Sequence, residues 1–327
     1  MIELIGGSGF IGTRLAERLK NQSMPFQILD KAPSSAFPEA YRWVDVRDVG
    51  SLREQMHGGP VINLAAEHRD DVRPFSLYQD VNVQGARNVC QVAREKGVCT
   101  IVFTSTVAVY GLAPANTDEQ GVINPFNEYG RTKWDAEQVY REWHAEDPKN
   151  RTLVIVRPTV VFGEQNRGNV YNLLRQIASG RFVMVGAGRN VKSMAYVENI
   201  AAFLEHSLSF APGCHVYNYV DKPDFDMNSL IGTVRAQLGL SGGIGVRLPY
   251  AVGLGAGYLF DLAAWMTRRS FPVSSVRVRK FCATTKFAAS IERTGFVAPV
   301  SLQEGLSRTV RHEFIEDHSA EEVFLTE

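Results

Sequence analysis

Cysteines and metal-binding patterns are scarce in this sequence. The chain has four cysteines among 327 residues, and no two of them form a CxxC pair. The histidines show no HExxH or comparable spacing, so no metal site is predicted and His68 is expected to be structural. Reduced thiols are expected, as in cytoplasmic proteins. The cysteines are Cys90, Cys99, Cys214 and Cys282.

An excess of charge of either sign is also missing. Lys and Arg together number 35, as do Asp and Glu, so the net charge is zero. A nucleic-acid-binding protein would favour a basic face, and we therefore expect no nucleic-acid partner. Local basic clusters could still bind a small anionic ligand.

Long apolar runs without charge are absent as well. A membrane span needs ~20 apolar residues with no central charge. The most apolar stretch, Leu248 to Met266, contains Asp261 and three glycines. We predict a buried or surface-lying helix there and no membrane span. Because the chain begins at once with the apolar strand MIELI, we expect no signal peptide and predict a cytoplasmic location.

Short apolar runs alternate with stretches of helical spacing in the first half of the chain. Strands separated by helices indicate a parallel sheet covered on both faces. We predict an α/β fold, a Rossmann-like doubly wound parallel sheet with a smaller, mostly C-terminal α/β substrate domain. The nucleotide-binding domain is predicted over 1–162 and 196–220, and the substrate domain over 163–195 and 221–327. The predicted strands are Ile2 to Ile5, Phe26 to Leu29, Val61 to Leu64, Thr100 to Thr104 and Leu153 to Val156, with a later strand near Val216 to Tyr219 and helices near Val197 to Ser207 and Leu302 to Phe314.

A glycine-rich segment, GGSGFIG, follows the first predicted strand, with Gly6, Gly9 and Gly12 three apart. Such glycines allow a tight turn and let the backbone approach a pyrophosphate at the start of the next helix, here at Phe10 and Ile11. The second strand ends in Asp30, whose carboxylate can bind both ribose hydroxyls and would repel a 2′-phosphate, so NAD is favoured over NADP.

Two alternatives remain open at Asp30. The adjacent Lys31 could tolerate a 2′-phosphate, and Asp30 could be a solvated turn residue.

Later strand ends agree with a cofactor site. Asp45 and Val46 follow the third strand, where a side chain could meet the adenine, and the small residues of Leu64-Ala65-Ala66 leave space at the end of the fourth.

Tyr129 and Lys133 stand four apart on a predicted helix and so share one face. An ammonium beside a phenol is expected to lower the phenol pKa from ~10 towards the working pH, which suits proton transfer. The lysine could also hold the nicotinamide ribose. Hydroxyl residues cluster where the fifth strand ends, at Thr104, Ser105 and Thr106, and doubly wound folds keep their sites at such strand ends.

Together these segments resemble the extended short-chain dehydrogenases/reductases of the NAD-dependent epimerase/dehydratase family. The resemblance is strongest to the nucleotide-sugar 4-epimerases that act on UDP-glucose or UDP-N-acetylglucosamine. It runs in the family's order over residues 1 to about 200. The matching segments are GGSGFIG, Asp30, DVRD, NLAA, DVNVQGARNV, TSTVAVYG, YGRTK and YVENIA.

The resemblance implies roles for individual residues. Tyr129 matches the catalytic acid/base, Lys133 its partner, and Thr106 the hydroxyl residue that binds the reacting alcohol. Asn82 matches a cofactor-side asparagine, although a structural role in its helix is equally open. Thr104 and Pro158 are further implied cofactor contacts. Dehydratases follow the catalytic threonine with an Asp-Glu pair, and this chain has Val107 and Ala108 there, which disfavours dehydration.

The substrate side departs from the family pattern. Where many members have an asparagine after the sixth strand, this chain reads Arg157-Pro-Thr-Val-Val-Phe-Gly163, and Lys192 stands where a phosphate-binding arginine is expected. Solvated surface charge is an equal alternative for the two arginines among the substrate candidates, and Arg268 and Arg269 are expected to be surface residues. The substrate candidates are Ser105, Thr106, Asn169, Lys192, Arg277 and Arg279.

The resemblance implies a UDP-sugar 4-epimerase that holds NAD tightly and forms a homodimer through the helices that start at Ser76 and carry Tyr129. A 4-keto-sugar reductase or a sterol-type alcohol dehydrogenase is the main alternative, and the apolar stretch 248–266 favours the sterol variant. A non-catalytic dinucleotide-binding protein is the third, and the complete set of Thr106, Tyr129 and Lys133 argues against it.

Overall fold

The structure is a computed structural model that describes residues 1–69, 72–240, 243–267, 274–318 and 321–324. A seven-stranded parallel sheet forms its centre, and three smaller sheets of two strands each lie beside it. The strands are β1 (Ile2–Ile5), β2 (Phe26–Asp30), β3 (Tyr41–Trp43), β4 (Val61–Asn63), β5 (Thr100–Thr104), β6 (Thr152–Pro158), β7 (Val160–Phe162), β8 (Val183–Val185), β9 (Val191–Lys192), β10 (Met194–Tyr196), β11 (Gly213–Tyr219), β12 (Phe225–Asp226) and β13 (Val246–Leu248). The helices are α1 (Phe10–Asn21), α2 (Val49–Gln55), α3 (Ser76–Tyr78), α4 (Gly85–Lys96), α5 (Glu128–Ala145), α6 (Asn169–Ala178), α7 (Val197–His206), α8 (Met227–Gln237), α9 (Tyr250–Thr267), α10 (Ser275–Cys282) and α11 (Leu302–Phe314).

Side chains alternate between the two faces of this sheet, as the pleat of a strand requires. Ile5 and Phe103 belong to the core under α4 and α5, whereas Leu4 and Val102 belong to the core under α1 and α7. Because both faces are covered, β1 and β6 are buried along their whole length. The predicted Rossmann-like α/β fold is confirmed.

The strand order reverses between β1 and β4. The sheet runs β11-β6-β5-β4-β1-β2-β3, so the chain moves outward in one direction from β1 to β3 and in the other from β4 onward. In doubly wound sheets the ligand crevice opens at the carboxyl ends of the strands on either side of such a reversal. The turn after β1 and the segment after β4 therefore face the same crevice.

Apart from the two cores that cover the faces of the sheet, a further hydrophobic core joins α6, α8 and α11, and we call it the second core. Three two-stranded pairings accompany it, β7 with β10, β9 with β12 and β8 with β13. Strand β11 and helix α7 belong to the central sheet and its cover, although they follow β7–β10 in sequence. The exact division into two domains stays a prediction.

Two elements differ from a simple sequence interpretation. The predicted helix starting at Ser76 contains a π-helical stretch, Gln79–Gln84, whose wider turn no sequence periodicity signals. The apolar stretch after Leu248 forms α9, which buries Gly253 and Gly257 and leaves most of its large side chains exposed. Across the described ranges, no helix combines the length and apolar composition that crossing a bilayer requires.

Candidate active site

The turn between β1 and α1 brings backbone unusually close to the segment after β4. Gly6 has a φ of 75°, and a Cβ there would lie 2.5 Å from the Ala65 nitrogen. A Cβ on Gly12 would lie 2.5 Å from the Cα of Gly7, so α1 packs directly on the turn. Gly9, the N-cap of α1, provides no side-chain cap, which leaves first-turn N–H groups free to bind an anion.

Asp30 lies at the end of β2 and closes the same crevice. Its carboxylate accepts hydrogen bonds from the Ser8 nitrogen at 3.0 Å and from the Ala32 nitrogen at 3.0 Å. Burial raises its pKa despite these two hydrogen bonds. A freely solvated turn aspartate would show neither the burial nor the bond to the glycine turn. Lys31 is exposed beside it.

The other predicted cofactor residues differ in their burial and in their contacts. Val46 is buried against Gly85, and Asp45 pairs with Arg47, whose hydrogen bond lowers the Asp45 pKa. Phe10 is buried in the second core, whereas Ile11 is half-buried beside it. Leu64, Ala65 and Ala66 continue from β4 and are all half-buried.

Asn82 supports the structural alternative. Its amide oxygen accepts from the Glu67 nitrogen at 2.8 Å, and its amide nitrogen donates to the Glu67 oxygen at 3.0 Å and to Thr132 Oγ1 at 2.9 Å. These bonds use both ends of the side chain. Asn82 therefore ties the segment after β4 to α5 and positions residues around the cofactor crevice.

The crevice fits a dinucleotide. Gly6 and Gly12 leave no room for a side chain, the start of α1 offers unpaired N–H groups, and Asp30 presents a carboxylate at the neighbouring strand end. Thr104 Oγ1 is buried with no hydrogen-bond partner in the described protein. The first residues of α1 would hold the diphosphate and Asp30 the adenosine ribose. Pro158 is buried at the end of β6.

The three predicted catalytic residues come together at the ends of β5 and α5. Asn127 caps α5 by accepting from the Gly130 nitrogen at 2.9 Å, which fixes the first turn that carries Tyr129. The Tyr129 hydroxyl is hydrogen-bonded to Thr106. Lys133 is 2% exposed, and its Nζ lies 4.4 Å from the centroid of the Phe103 ring.

The electrostatics of this group differ from the sequence expectation. Burial raises the pKa of Tyr129 to about 12, and the bond to Thr106 offsets it only in part. Burial lowers the pKa of Lys133 to about 7, opposed by the charge of Glu137. The expectation that Lys133 lowers the Tyr129 pKa is wrong for the protein alone, because removal from water disfavours the charged form of each group.

A buried ion pair behind the catalytic helix was missed by the sequence analysis. Arg157 donates to both carboxylate oxygens of Glu137, at 2.8 and 2.6 Å, and the two side chains are 2% and 0% exposed. Arg157 also donates to the Tyr110 hydroxyl at 2.7 Å. The available signal was Glu137 four residues after Lys133, on the same helix face, with an arginine ending an apolar strand.

Two of the predicted substrate residues, Ser105 and Lys192, are hydrogen-bonded within the protein. Ser105 turns away from the cleft and donates to Glu137 Oε1 at 2.6 Å. Lys192 Nζ donates to the backbone oxygens of Lys280 and Ala283 at 3.0 and 2.6 Å, and burial lowers its pKa. These carbonyls end α10, so Lys192 stabilises that helix terminus.

The remaining substrate candidates lie at the surface. Asn169 is the exposed first residue of α6, and Arg277 is exposed on α10. Arg279 on the same helix donates to the Tyr258 hydroxyl of α9. The predicted surface residues Arg268 and Arg269 lie outside the described residues. The substrate contacts therefore stay a prediction.

One histidine cluster lies away from the crevice. In the described part of the chain, His312, His318 and Glu321 place their ligand atoms within 4.8 Å of one another. The Glu321 carboxylate bonds to both imidazoles, at 3.0 and 2.7 Å. These bonds join the residues after α11 to that helix.

Comparison with known proteins identifies the family. Residues 2–218 match the model of the NAD dependent epimerase/dehydratase family. The chain belongs to this family. It is an NAD-dependent enzyme of the extended short-chain dehydrogenase/reductase type, and the predicted cofactor, NAD, is confirmed.

Individual relatives show the spread of the family. The chain is 52% identical over 329 aligned residues, 99% of this chain and 98% of the relative, to N-acetyl-alpha-D-glucosaminyl-diphospho-ditrans,octacis-undecaprenol 4-epimerase of Escherichia coli O157:H7. It is 26% identical, over 94% of this chain and 95% of the relative, to a sterol-4-alpha-carboxylate 3-dehydrogenase of Candida albicans. The structure of UDP-N-acetylglucosamine 4-epimerase from Bacillus cereus has the same fold, with a TM-score of 0.73, 16% identity and coverage of 94% and 97%.

Tyr129→Phe tests the acid/base assignment. Removing the hydroxyl removes the group that exchanges the substrate proton, so we expect turnover to fall by ~10²-fold or more with NAD affinity nearly unchanged. Initial-rate assays measure the turnover, and titration with NAD measures the affinity. Tyr217→Phe, on the edge strand β11, is the matched control and should keep wild-type turnover. A folded Tyr129→Phe enzyme with near-normal turnover would refute the assignment.

Asp30→Ala tests cofactor selection. Loss of charged hydrogen bonds to the ribose should weaken NAD binding by ~10- to 100-fold and narrow the preference over NADP. Calorimetric titration with both dinucleotides measures this. Lys31→Ala serves as the comparison and should leave the NAD preference in place. If the wild-type protein prefers NADP, the cation at Lys31 dominates and Asp30 does not select the cofactor.

Glu137→Gln tests the buried pair. It leaves the Arg157 guanidinium buried without a counter-charge, so we expect the free energy of unfolding to fall by about 3–5 kcal/mol. Urea unfolding followed by circular dichroism measures it. Glu95→Gln breaks the exposed pair with Arg53 and should lower the free energy of unfolding far less, because water and salt screen that pair. Equal losses in the two variants would contradict a special role for the buried pair.

Proposed function

We propose that this protein interconverts the C4 epimers of an N-acetylhexosamine that is attached through a diphosphate to a polyprenyl carrier. The observation that carries the proposal is the 52% identity, over nearly the whole of both chains, to a 4-epimerase of such a lipid-linked sugar. The complete set of Thr106, Tyr129 and Lys133 at the cleft supports a catalytic function for this chain.

The chemistry follows from what these side chains can do. A bound NAD⁺ would supply the acceptor for the C4 hydride, and its positive charge would favour the phenolate form of Tyr129. Tyr129 accepts the C4 hydroxyl proton as the alcohol becomes a ketone, and Thr106 holds the oxygen in place. After the keto sugar rotates in the cleft, C4 is reduced on its other face and Tyr129 returns the proton to the C4 oxygen.

Lys133 acts beside Tyr129 throughout this cycle. With a pKa of about 7, its ammonium can lose a proton near neutral pH, so its charge responds to what binds beside it. Binding of the ribose hydroxyls would favour the charged form through hydrogen bonding. Val107 and Ala108 offer no carboxylic acid to expel a neighbouring hydroxyl as water, which supports epimerisation over dehydration.

The carrier differs from the UDP that the sequence resemblance implied. Lys192, expected to bind a nucleotide diphosphate, is engaged with two backbone carbonyls, and Arg279 is engaged with Tyr258. These contacts leave fewer cations to grip a nucleotide diphosphate than the family pattern implies. A polyprenyl diphosphate carries the same phosphates, so the choice of carrier rests on the 52% identical relative and not on these contacts.

A dehydrogenase that acts on a lipid alcohol is the second candidate. The 26% identical sterol dehydrogenase aligns over nearly its whole length, and this chain has a large exposed apolar helix, α9. The two candidates differ in redox balance. An epimerase returns the hydride that it takes, whereas a dehydrogenase leaves the cofactor reduced.

The decisive experiment supplies purified enzyme with N-acetylglucosaminyl diphosphate on a short, detergent-soluble polyprenol, without added NADH. We expect the 4-epimer, identified by NMR of the anomeric proton, with no net change in absorbance by reduced nicotinamide. UDP-N-acetylglucosamine, tested in parallel, should react at least about tenfold more slowly, as loss of favoured carrier contacts costs ~1.4 kcal/mol or more.

Two results would contradict the proposal. Faster epimerisation of the UDP-sugar would move the carrier back to UDP. Stoichiometric accumulation of NADH with a sterol or other lipid alcohol, and no epimer from any diphosphate-linked sugar, would assign the dehydrogenase.

A further inference from the structure

Helix α9 presents a continuous apolar surface to solvent. Five large side chains, which we call the apolar face, are between 50% and 79% exposed. At 100° per residue they fall within an arc of about 120° on one side of the helix. Contiguous exposed apolar patches of this kind mark interaction sites. The apolar face consists of Tyr258, Leu259, Leu262, Trp265 and Met266.

The opposite side of α9 is fixed to the protein. A Cβ on Gly253 would lie 2.4 Å from Val185 Cγ1, and one on Gly257 would lie 2.8 Å from the Ser275 backbone. Asp261 accepts a hydrogen bond from the Ser275 nitrogen at 3.2 Å. Because this side contacts the protein, the apolar face points away from it, and α9 would lie along the surface of a partner.

Positive charge lies beside the apolar face, on α10. Residues 246–282 contain six Lys and Arg and one Asp, a net charge of +5, in a chain whose total is zero. Arg277, Arg279 and Lys280 are exposed on α10, which packs on α9. The Arg279 guanidinium reaches the Tyr258 hydroxyl, at the edge of the apolar face. Exposed Trp, Tyr and Leu bordered by Arg and Lys fit the headgroup boundary of an anionic bilayer.

Helix α10 also lies near the segment that leads into the catalytic helix α5. Lys280 Nζ lies 5.9 Å from the ring of Phe126, three residues before Tyr129, and the Lys280 oxygen accepts from Lys192. The carboxyl end of α10 therefore lies between the apolar face and the segment just before α5. A protein resting on α9 would hold its cleft beside the phosphate layer of the membrane.

We propose that the apolar face of α9, with the cations of α10, docks this protein on the surface of an anionic lipid bilayer. The proposal deepens the proposed function, on which it rests, because a diphosphate carried by a polyprenol lies at that surface. A second copy of the chain is the competing occupant. The predicted homodimer uses the helices that start at Ser76 and carry Tyr129, and would leave α9 free.

Vesicle sedimentation with the full-length protein tests the docking. We expect binding to vesicles of phosphatidylglycerol and phosphatidylethanolamine, weakened by 0.5 M salt, and little binding to pure phosphatidylcholine. Leu259→Glu with Trp265→Glu should lower the partition coefficient at least about tenfold, because charge within the apolar face opposes insertion. Val297→Glu, at a residue 83% exposed elsewhere, is the matched control and should bind as wild type.

Activity separates docking from catalysis. The α9 variant should keep its turnover on the short, detergent-soluble diphosphate-sugar and lose at least about tenfold on the long-chain substrate in vesicles. If wild type ignores anionic vesicles while sedimentation velocity shows a dimer that the α9 variant dissociates, the face is a subunit interface and the proposal is overturned. Vesicle binding without any epimerase activity would reject the proposed function and leave the docking intact.

Discussion

The buried pair between Glu137 and Arg157 is the contact on which the geometry of the cleft depends. It joins α5, the helix that carries Tyr129 and Lys133, to β6, the neighbour of the edge strand β11 in the central sheet. Taking two charges out of water is costly, and both carboxylate oxygens must be bonded for the pair to persist. Ser105 supplies one further bond and Tyr110 another to the guanidinium, so the ends of β5 and β6 are held by the same carboxylate.

This arrangement explains why Lys133 can be buried. Glu137 lies one helical turn further along α5, and its charge opposes the loss of a proton from Lys133. The positive charge of Arg157 lies beside the same carboxylate and partly cancels its electrostatic effect on Lys133. The lysine is held close to the point of losing its proton, which makes its charge sensitive to the ligand beside it.

The sequence predicted most of the sheet because apolar runs and glycine punctuation are local signals. Strands β1 and β5 and helix α11 begin and end where they were predicted. Tyr129 and Lys133 could be placed on one helix face from their spacing, whereas Thr106 was chosen among the hydroxyl residues after β5 by the family resemblance, and the catalytic roles of all three stay a prediction. The pairing of Glu137 with Arg157 could not be predicted, because it joins residues twenty apart whose burial depends on tertiary packing. The engagement of Lys192 with the end of α10 is likewise a contact between distant segments, and motif spacing cannot show it.

The glycine at the start of α1 has a thermodynamic consequence. A helix normally gains stability from a side chain at its N-cap, and Gly9 supplies none, so part of the stability of α1 is left to whatever anion binds there. Folding and cofactor retention are thereby linked equilibria. Each tenfold rise in NAD above its dissociation constant adds about 1.4 kcal/mol to the stability of the folded chain. Bound NAD therefore stabilises the first helix of the fold as well as serving the reaction, and removal of the cofactor would lower the free energy of unfolding of the chain.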